Sequence, residues 1–217
     1  MITNTPLKFI VVGTGRCGTN LLQQMFNGTG INCGHENIFN SSVVNSVKQQ
    51  YMSNTEYVAE SSWVAVPYLD QPWIDDRIKI IHLIRDPISV IKSFWDIEFF
   101  RNERINKHRN KLVYRNTTIS AKNQDRLVSS VDHYFQWNML IKQKLEKIDN
   151  PSIVFHLENL KENIEPLNTF LGVDLAYTDE RFNTKQDEKD KSTEFPVELA
   201  KEIIKTRYDG WPSFSER

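Results

Sequence analysis

The sequence predicts an α/β fold built on a central, mostly parallel sheet of about five strands flanked by helices. Three observations lead there. Short β-rich runs alternate with helical patterns along the chain, the order produced by parallel strands with helical crossovers. The first run, Phe9-Ile10-Val11-Val12, passes directly into a glycine-rich turn and a helix. No internal repeat or low-complexity tract interrupts the series. A length of 217 residues suits one domain with a sizeable core, so 1–217 reads as a single unit.

Strands are expected at 8–12, near 31–34, near 56–60, at 78–84 and at 152–156. Helices are expected at 19–27, 42–52, 87–99, 124–147, 160–170 and 196–208. The clearest strand is Ile78-Lys79-Ile80-Ile81-His82-Leu83-Ile84. The helix after it has its own start signal, because Asp86 can cap it and Pro87 fits the first turn. The last helix opens at Pro196, carries Leu199, Ala200, Ile203 and Ile204 on one face, and is stopped by Gly210 and Pro212.

Hydrophobic residues make up 39% of the chain and charged residues 25%, with a formal net charge of −1. That balance describes a soluble globular protein without a global signal for nucleic acid or membrane, so any anion site has to be local. The longest apolar run is far too short to span a bilayer. Met1-Ile2-Thr3-Asn4-Thr5-Pro6 lacks the basic and apolar regions of a signal peptide. Cys17 and Cys33 make neither a disulfide framework nor a metal site, and the cytoplasm is the expected location.

Two segments depart from the alternation. Residues 101–123 carry Arg101, Arg104, Lys107, Arg109, Lys111, Arg115 and Lys122 against Glu103. They form a basic helical or loop insertion that reads either as a solvated surface loop or as a basic lid favouring acidic acceptors. The C-terminal part, about 179–217, opens with a mixed-charge stretch at 179–194, the composition of an exposed loop, before the last helix.

The stretch from Phe9 to Leu22 is the most informative. Gly13, Gly15 and Gly18 let the backbone take positive φ and approach a ligand closely. The helix that follows directs unpaired N–H groups and partial positive charge at it, so an anion is expected. Gly13-x-Gly15-x-x-Gly18 satisfies a dinucleotide fingerprint, with Glu36 near the distance of its ribose-binding acid. Against a Rossmann protein, Ile31-Asn32-Cys33-Gly34-His35 is not the apolar second strand that fold requires. The spacing Gly13-x4-Gly18 also matches a Walker A loop. There Thr19 stands in place of the lysine and Asn20 in place of the Mg²⁺-binding Ser/Thr, which disfavours a P-loop kinase or NTPase. The cation lies inside the loop instead, as Arg16.

A second anion clamp follows the strand at 78–84. Arg85 stands at the carboxyl end of a parallel strand, where open α/β sheets bind ligands, and so is expected to share a crevice with the loop at 13–20. Ser93, two helical turns beyond, is positioned to add a hydroxyl to the same phosphate.

On these residues the chain resembles the sulfotransferases that use 3′-phosphoadenosine 5′-phosphosulfate (PAPS), a family with a P-loop-like fold. Gly13-Thr14-Gly15-Arg16-Cys17-Gly18-Thr19-Asn20 is similar to the family's 5′-phosphosulfate loop. Arg85-Asp86-Pro87 followed by Ser93 is similar to its 3′-phosphate motif. Val154-Phe155-His156-Leu157-Glu158-Asn159-Leu160 with Phe170-Leu171-Gly172-Val173 resembles its late strand–helix segment. An arginine inside the loop and Cys33-Gly34-His35-Glu36 after the first helix match most closely the protein-tyrosine and bacterial type.

The resemblance implies in-line transfer of a sulfuryl group from PAPS to a hydroxyl, leaving adenosine 3′,5′-bisphosphate (PAP), without a metal. Glu36 would be the general base, with His35 as a rival and Ser93 as a further catalytic candidate. Residues Gly13–Asn20, including Arg16, would hold the 5′-phosphosulfate and the charge on the leaving oxygen. Arg85 and Ser93 would grip the 3′-phosphate, and Arg181, Asn183 and Lys185 lie where relatives close a loop over the nucleotide. One departure concerns Glu60-Ser61-Ser62, where relatives carry a Lys or Ser and this chain has no lysine. Arg16 or Lys92 would then supply the second catalytic charge.

Trp63, Trp95, Tyr134 and Trp137 line an acceptor pocket, stack on adenine or pack the core. The acceptor would be a hydroxyl of a carbohydrate, small molecule, lipid head group or peptide, with its pocket drawn from segments such as 38–56 and 101–138. A catalytically silent nucleotide-binding module remains the non-enzymatic alternative.

Overall fold

The structure is a computed structural model that describes residues 6–100, 103–120, 125–175, 177 and 194–210. Its sheet contains β1 (Phe9–Val12), β2 (Cys33–His35), β3 (Ala59–Ser61), β4 (Lys79–Ile84) and β5 (Ser152–His156). The strand order is β2-β3-β1-β4-β5, and every neighbouring pair is parallel. The expected mostly parallel sheet is thus parallel throughout. β1 is central and buried along its whole length, which is why its sequence is continuously apolar. From β1 the chain first fills one side of the sheet, with β2 and β3, and then the other, with β4 and β5. That reversal makes the carboxyl ends of β1, β3 and β4 a topological switch point, the position where such sheets leave a crevice.

The helices are α1 (Thr19–Gly28), α2 (Val44–Ser53), α3 (Pro87–Asp96), α4 (Glu103–Asn116), α5 (Arg126–Leu145), α6 (Glu165–Leu171) and α7 (Val197–Tyr208). α3 begins as its sequence predicts: the Asp86 carboxylate accepts the Ser89 N–H at 2.7 Å, and Pro87 occupies the first turn. α5 is capped in the same way by Asp125, which accepts from the N–H groups of Leu127 and Val128. α7 docks on α5 through Tyr208, whose ring stacks on Phe135 at 4.3 Å while its hydroxyl donates to Asp132 at 2.5 Å.

Within 101–123 the chain takes the helical option as α4, because Asn110, Leu112 and Val113 turn one side of that polar segment into the protein. Three other elements differ from the sequence expectation. Trp63–Tyr68, for which the sequence predicts no element, is a 3₁₀ helix, and it contains Pro67, which lacks a ladder donor. The expected helix at 160–170 starts only at Glu165, after a 3₁₀ turn at Leu157–Asn159 and a short turn. Finally, Leu199 lies 50% exposed, so the inward face of α7 is carried by Ala200 and Tyr208 with Ile203 and Ile204 half-buried. Among the described residues no helix is long and apolar enough to cross a membrane.

Candidate active site

The loop from Gly13 to Gly18 leaves β1 at the switch point and enters α1. Gly15 at φ 77°, Arg16 at φ 58° and Gly18 at φ 105° take the left-handed region. Glycine at 13 is dictated by space, since an added Cβ would lie 2.7 Å from the Leu83 carbonyl oxygen, and glycine at 18 by its φ of 105°, with the Leu157 side chain 2.8 Å from an added Cβ. Arg16 is the one non-glycine in that left-handed run, and its Nε donates to Ser93 Oγ at 2.8 Å. Cys17 is buried, and burial pushes its thiol up, so it acts as an apolar filler beneath the loop.

Arg85, at the end of β4, donates from Nη1 to the Arg16 carbonyl at 3.1 Å. Its backbone is fixed in turn, since Tyr134 donates its hydroxyl to the Arg85 carbonyl and Glu158 accepts the Asp86 N–H. The structure therefore brings Arg16, Arg85 and Ser93 into one cluster at the edge where the sequence places Arg85 beside the loop at 13–20. The Arg16 guanidinium is held below its ordinary value, first by burial and then by the charge of Arg85, with Asp96 opposing. Two cations held side by side at a helix N-terminus present an electrostatic demand for an anion.

Around the same edge, Thr19 Oγ1 lies 3.3 Å from His35 Nε2, and Ser61 Oγ donates to the Thr19 carbonyl at 2.6 Å. Glu36 follows β2 in the left-handed region at φ 57°, with its N–H donating to the Ser61 carbonyl at 3.3 Å. Its carboxylate is paired with Arg109 of α4, a residue half exposed while Glu36 is mostly covered. The basic segment thus reaches the candidate base, and Arg115 of α4 lies 3.5 Å from the Ser42 carbonyl in the segment that follows Glu36. Burial pulls His35 below its ordinary value and so favours the neutral imidazole, although the Glu36 carboxylate acts in the opposite direction.

Sequence reasoning missed Glu60. It lies on β3 with no exposed surface, and one carboxyl oxygen accepts the N–H groups of Asn37, Ile38 and Phe39 at 2.7, 2.9 and 3.5 Å. That grip holds the turn directly after Glu36. Only glycine fits at position 34, where a Cβ would fall 2.1 Å from the other Glu60 oxygen. The signal was an acid inside a run that reads as a buried strand. Burial pushes the Glu60 carboxyl up to about 7, and the charge of Glu36 adds to the rise.

Between the ordinary 4.5 and about 7 the folded state keeps a proton that the unfolded chain has released. Stability should therefore fall as pH rises through that window, by about 1.4 kcal/mol per pH unit for one proton. Glu60→Gln keeps a carbonyl for the three N–H groups and removes the charge. Urea unfolding at pH 5 and pH 8 should show a smaller loss of stability for this variant than for the wild type. Parallel losses would place the titrating group elsewhere.

Of the remaining sequence candidates, Thr14 is buried with its hydroxyl donating to the Gly15 carbonyl at 2.9 Å, and Asn20 is half-buried on the first turn of α1. Lys92 is bound to Asp96 at 2.6 Å on the exposed side of α3. Trp63, Tyr134 and Trp137 are core residues, whereas Trp95 is covered by the Arg126 guanidinium at 3.3 Å from the ring centre. Arg181, Asn183 and Lys185 lie outside the described residues. Among the described residues no group of three or more His, Cys, Asp or Glu side chains is placed to hold a metal ion.

A parallel sheet with a glycine-rich loop and two adjoining arginines at its switch point defines an α/β protein whose positive charge is gathered at the carboxyl edge of the sheet. More narrowly, the chain belongs to the sulfotransferase family: the model of the sulfotransferase domain matches residues 6–183. Solved structures agree at the level of fold. The chain is similar to a sulfotransferase from Alicyclobacillus acidocaldarius, with a TM-score of 0.57 and 16% identity over 92% of this chain and 90% of that one. It is also similar to the sulfotransferase domain from the curacin biosynthetic pathway, with a TM-score of 0.56 and 16% identity over 79% and 75% of the two chains. No curated protein matches the chain.

Proposed function

We propose that this protein transfers a sulfuryl group from PAPS to a hydroxyl of an acceptor, with Glu36 as general base and PAP as product. The observation that carries the reading is the cluster of Arg16, Arg85 and Ser93 against the Gly13–Gly18 cradle, with Glu36 after β2, one strand beyond β3 on the same edge of the sheet. A two-phosphate nucleotide fits that cluster, because its anions answer the burial of the Arg16 guanidinium and the charge of Arg85 beside it. PAPS supplies an activated sulfuryl group on a phosphate leaving group.

The chain's own residues would do the rest. The amides of the loop and of the first turn of α1, with Arg16, neutralise charge at the 5′ end, and Thr19 and Asn20 add side-chain donors. Arg85 and Ser93 hold the 3′-phosphate and thereby orient the nucleotide, so that binding energy remote from the reacting bond is used for positioning. Glu36 accepts the acceptor's proton. Arg109 beside it favours an acceptor bearing negative charge, such as an acidic carbohydrate or peptide.

Thermal unfolding with added PAP, ATP–Mg²⁺ or NAD(H), each with and without EDTA, tests the reading. PAP should raise the melting temperature by several degrees, and EDTA should leave that rise unchanged. A preference for ATP–Mg²⁺ or NAD(H) would overturn it.

A further inference from the structure

We infer that His133, through the bond from its Nε2–H to the Thr14 carbonyl, is a positioning residue for the anion cradle and sets nucleotide affinity without touching the nucleotide. The inference rests on the reading that PAP binds at the Gly13–Gly18 loop. His133 lies on α5, is completely buried, and is 2.8 Å from the Thr14 oxygen across 119 residues of sequence. A carbonyl only accepts, so the ring proton must sit on Nε2. Nδ1 is buried and has no partner among the described residues.

An aromatic cage surrounds the ring, with Phe94 at 4.9 Å, Trp137 at 5.3 Å, Phe100 at 5.7 Å and Trp63 at 5.8 Å between ring centres. Burial pushes the imidazole down to about 4, so it stays neutral in neutral solution. A histidine used only to fill that cage would be a poor choice beside phenylalanine, because it leaves one polar nitrogen without a partner. What the imidazole adds is a donor aimed at one loop carbonyl.

That carbonyl belongs to the peptide group that leads into Gly15, and a planar trans peptide fixes the direction of both its oxygen and its N–H. Anchoring the Thr14 oxygen in the core therefore fixes the plane from which the left-handed pair Gly15–Arg16 starts. The same cage closes the other side, since a Cβ at Gly15 would lie 3.3 Å from Trp63 and 3.5 Å from Phe94. The next two carbonyls are tied as well, that of Gly15 by Thr14 Oγ1 and that of Arg16 by Arg85. Three consecutive peptide planes are locked before any ligand arrives, and His133 supplies the lock that comes from the core. Without it, the buried Thr14 oxygen loses its partner and the peptide is free to rotate, carrying Arg16 away from Ser93.

The test compares His133→Phe, which fills the cage without a donor, with His133→Gln, whose side-chain amide restores one. PAP affinity is measured by calorimetry at 25 °C, alongside the melting temperature. His133→Phe should weaken PAP binding at least tenfold while remaining folded at the assay temperature, and His133→Gln should stay within about threefold of wild type. A residue that only packs the core would lower the melting temperature in both variants and leave the affinity of the folded protein unchanged, which would overturn the inference. Equal loss in the two variants would also overturn it. Should His133→Phe not fold, ¹⁵N-histidine NMR of the wild type decides, because the sheltered Nε2 proton of His133 should shift when PAP is added. An unmoved resonance at saturating PAP sinks the proposal. A wild type that does not bind PAP at all removes the underlying functional reading instead.

Discussion

Glu36→Gln is expected to lower kcat for sulfuryl transfer by about 10²–10⁴-fold, the range typical of removing a general base, while PAP affinity stays within about twofold. The amide keeps the size of the side chain and a partner for Arg109 but cannot take a proton. Gln is the informative replacement, because Ala at φ 57° would lose the contact with Arg109 as well as the carboxylate. The nucleotide should not notice the change, since the contacts that join the cradle to the arginine cluster run through Arg16, Ser93 and Arg85 and none runs through Glu36. Steady-state PAP release with an acceptor that the wild type turns over, together with calorimetric titration of PAP, separates the two effects. Retained turnover would move the base to a neighbour, and His35, within reach of Thr19, would be examined next.

Arg85→Ala should weaken PAP binding by about a hundredfold, with a smaller effect on adenosine 5′-phosphate, which lacks the 3′-phosphate. Charge-assisted hydrogen bonds to a phosphate are among the stronger polar contacts, and a guanidinium makes them in pairs. The backbone at Arg85 is also held in place, with Tyr134 bound to its carbonyl and Glu158 to the next N–H. Its bond to the Arg16 carbonyl means that the substitution loosens the loop as well. Comparing the two nucleotides therefore matters. Equal loss for both would assign Arg85 to support of the loop and not to the 3′-phosphate. Arg85→Lys should restore only part of the affinity, because an ammonium group lacks the planar fork that serves phosphate and carbonyl together.

Much of this architecture was readable along the chain, because it depends on local chemistry. A strand buried on both faces must be continuously apolar, as at Phe9–Val12, and a chain that turns sharply beside a strand needs glycine, as at Gly13 and Gly18. Asp86 and Pro87 announced α3 for the same reason: the cap bond spans three residues. The basic segment left helix and loop both open, since the inward residues Asn110, Leu112 and Val113 are few and one of them is polar. The 3₁₀ turn at Trp63–Tyr68 escaped because an apolar run of six has no period that distinguishes it from a strand.

The sequence by itself determined the class of fold, the glycine-rich loop after the first strand and the position of the arginine inside it, all of which follow from contacts only a few residues long. Tertiary structure alone decided how those parts meet. Arg16 reaches Ser93 across 77 residues, Glu36 is paired with Arg109 across 73, and Thr14 is anchored by His133 across 119. Each of these depends on strand order and helix packing, which no local pattern encodes. The same holds for Glu60, an acid whose character comes from being buried behind the turn that carries Glu36. Its ordinary residue type announces a surface charge. Only the fold, by taking water away from it and supplying three N–H groups, makes it part of the site.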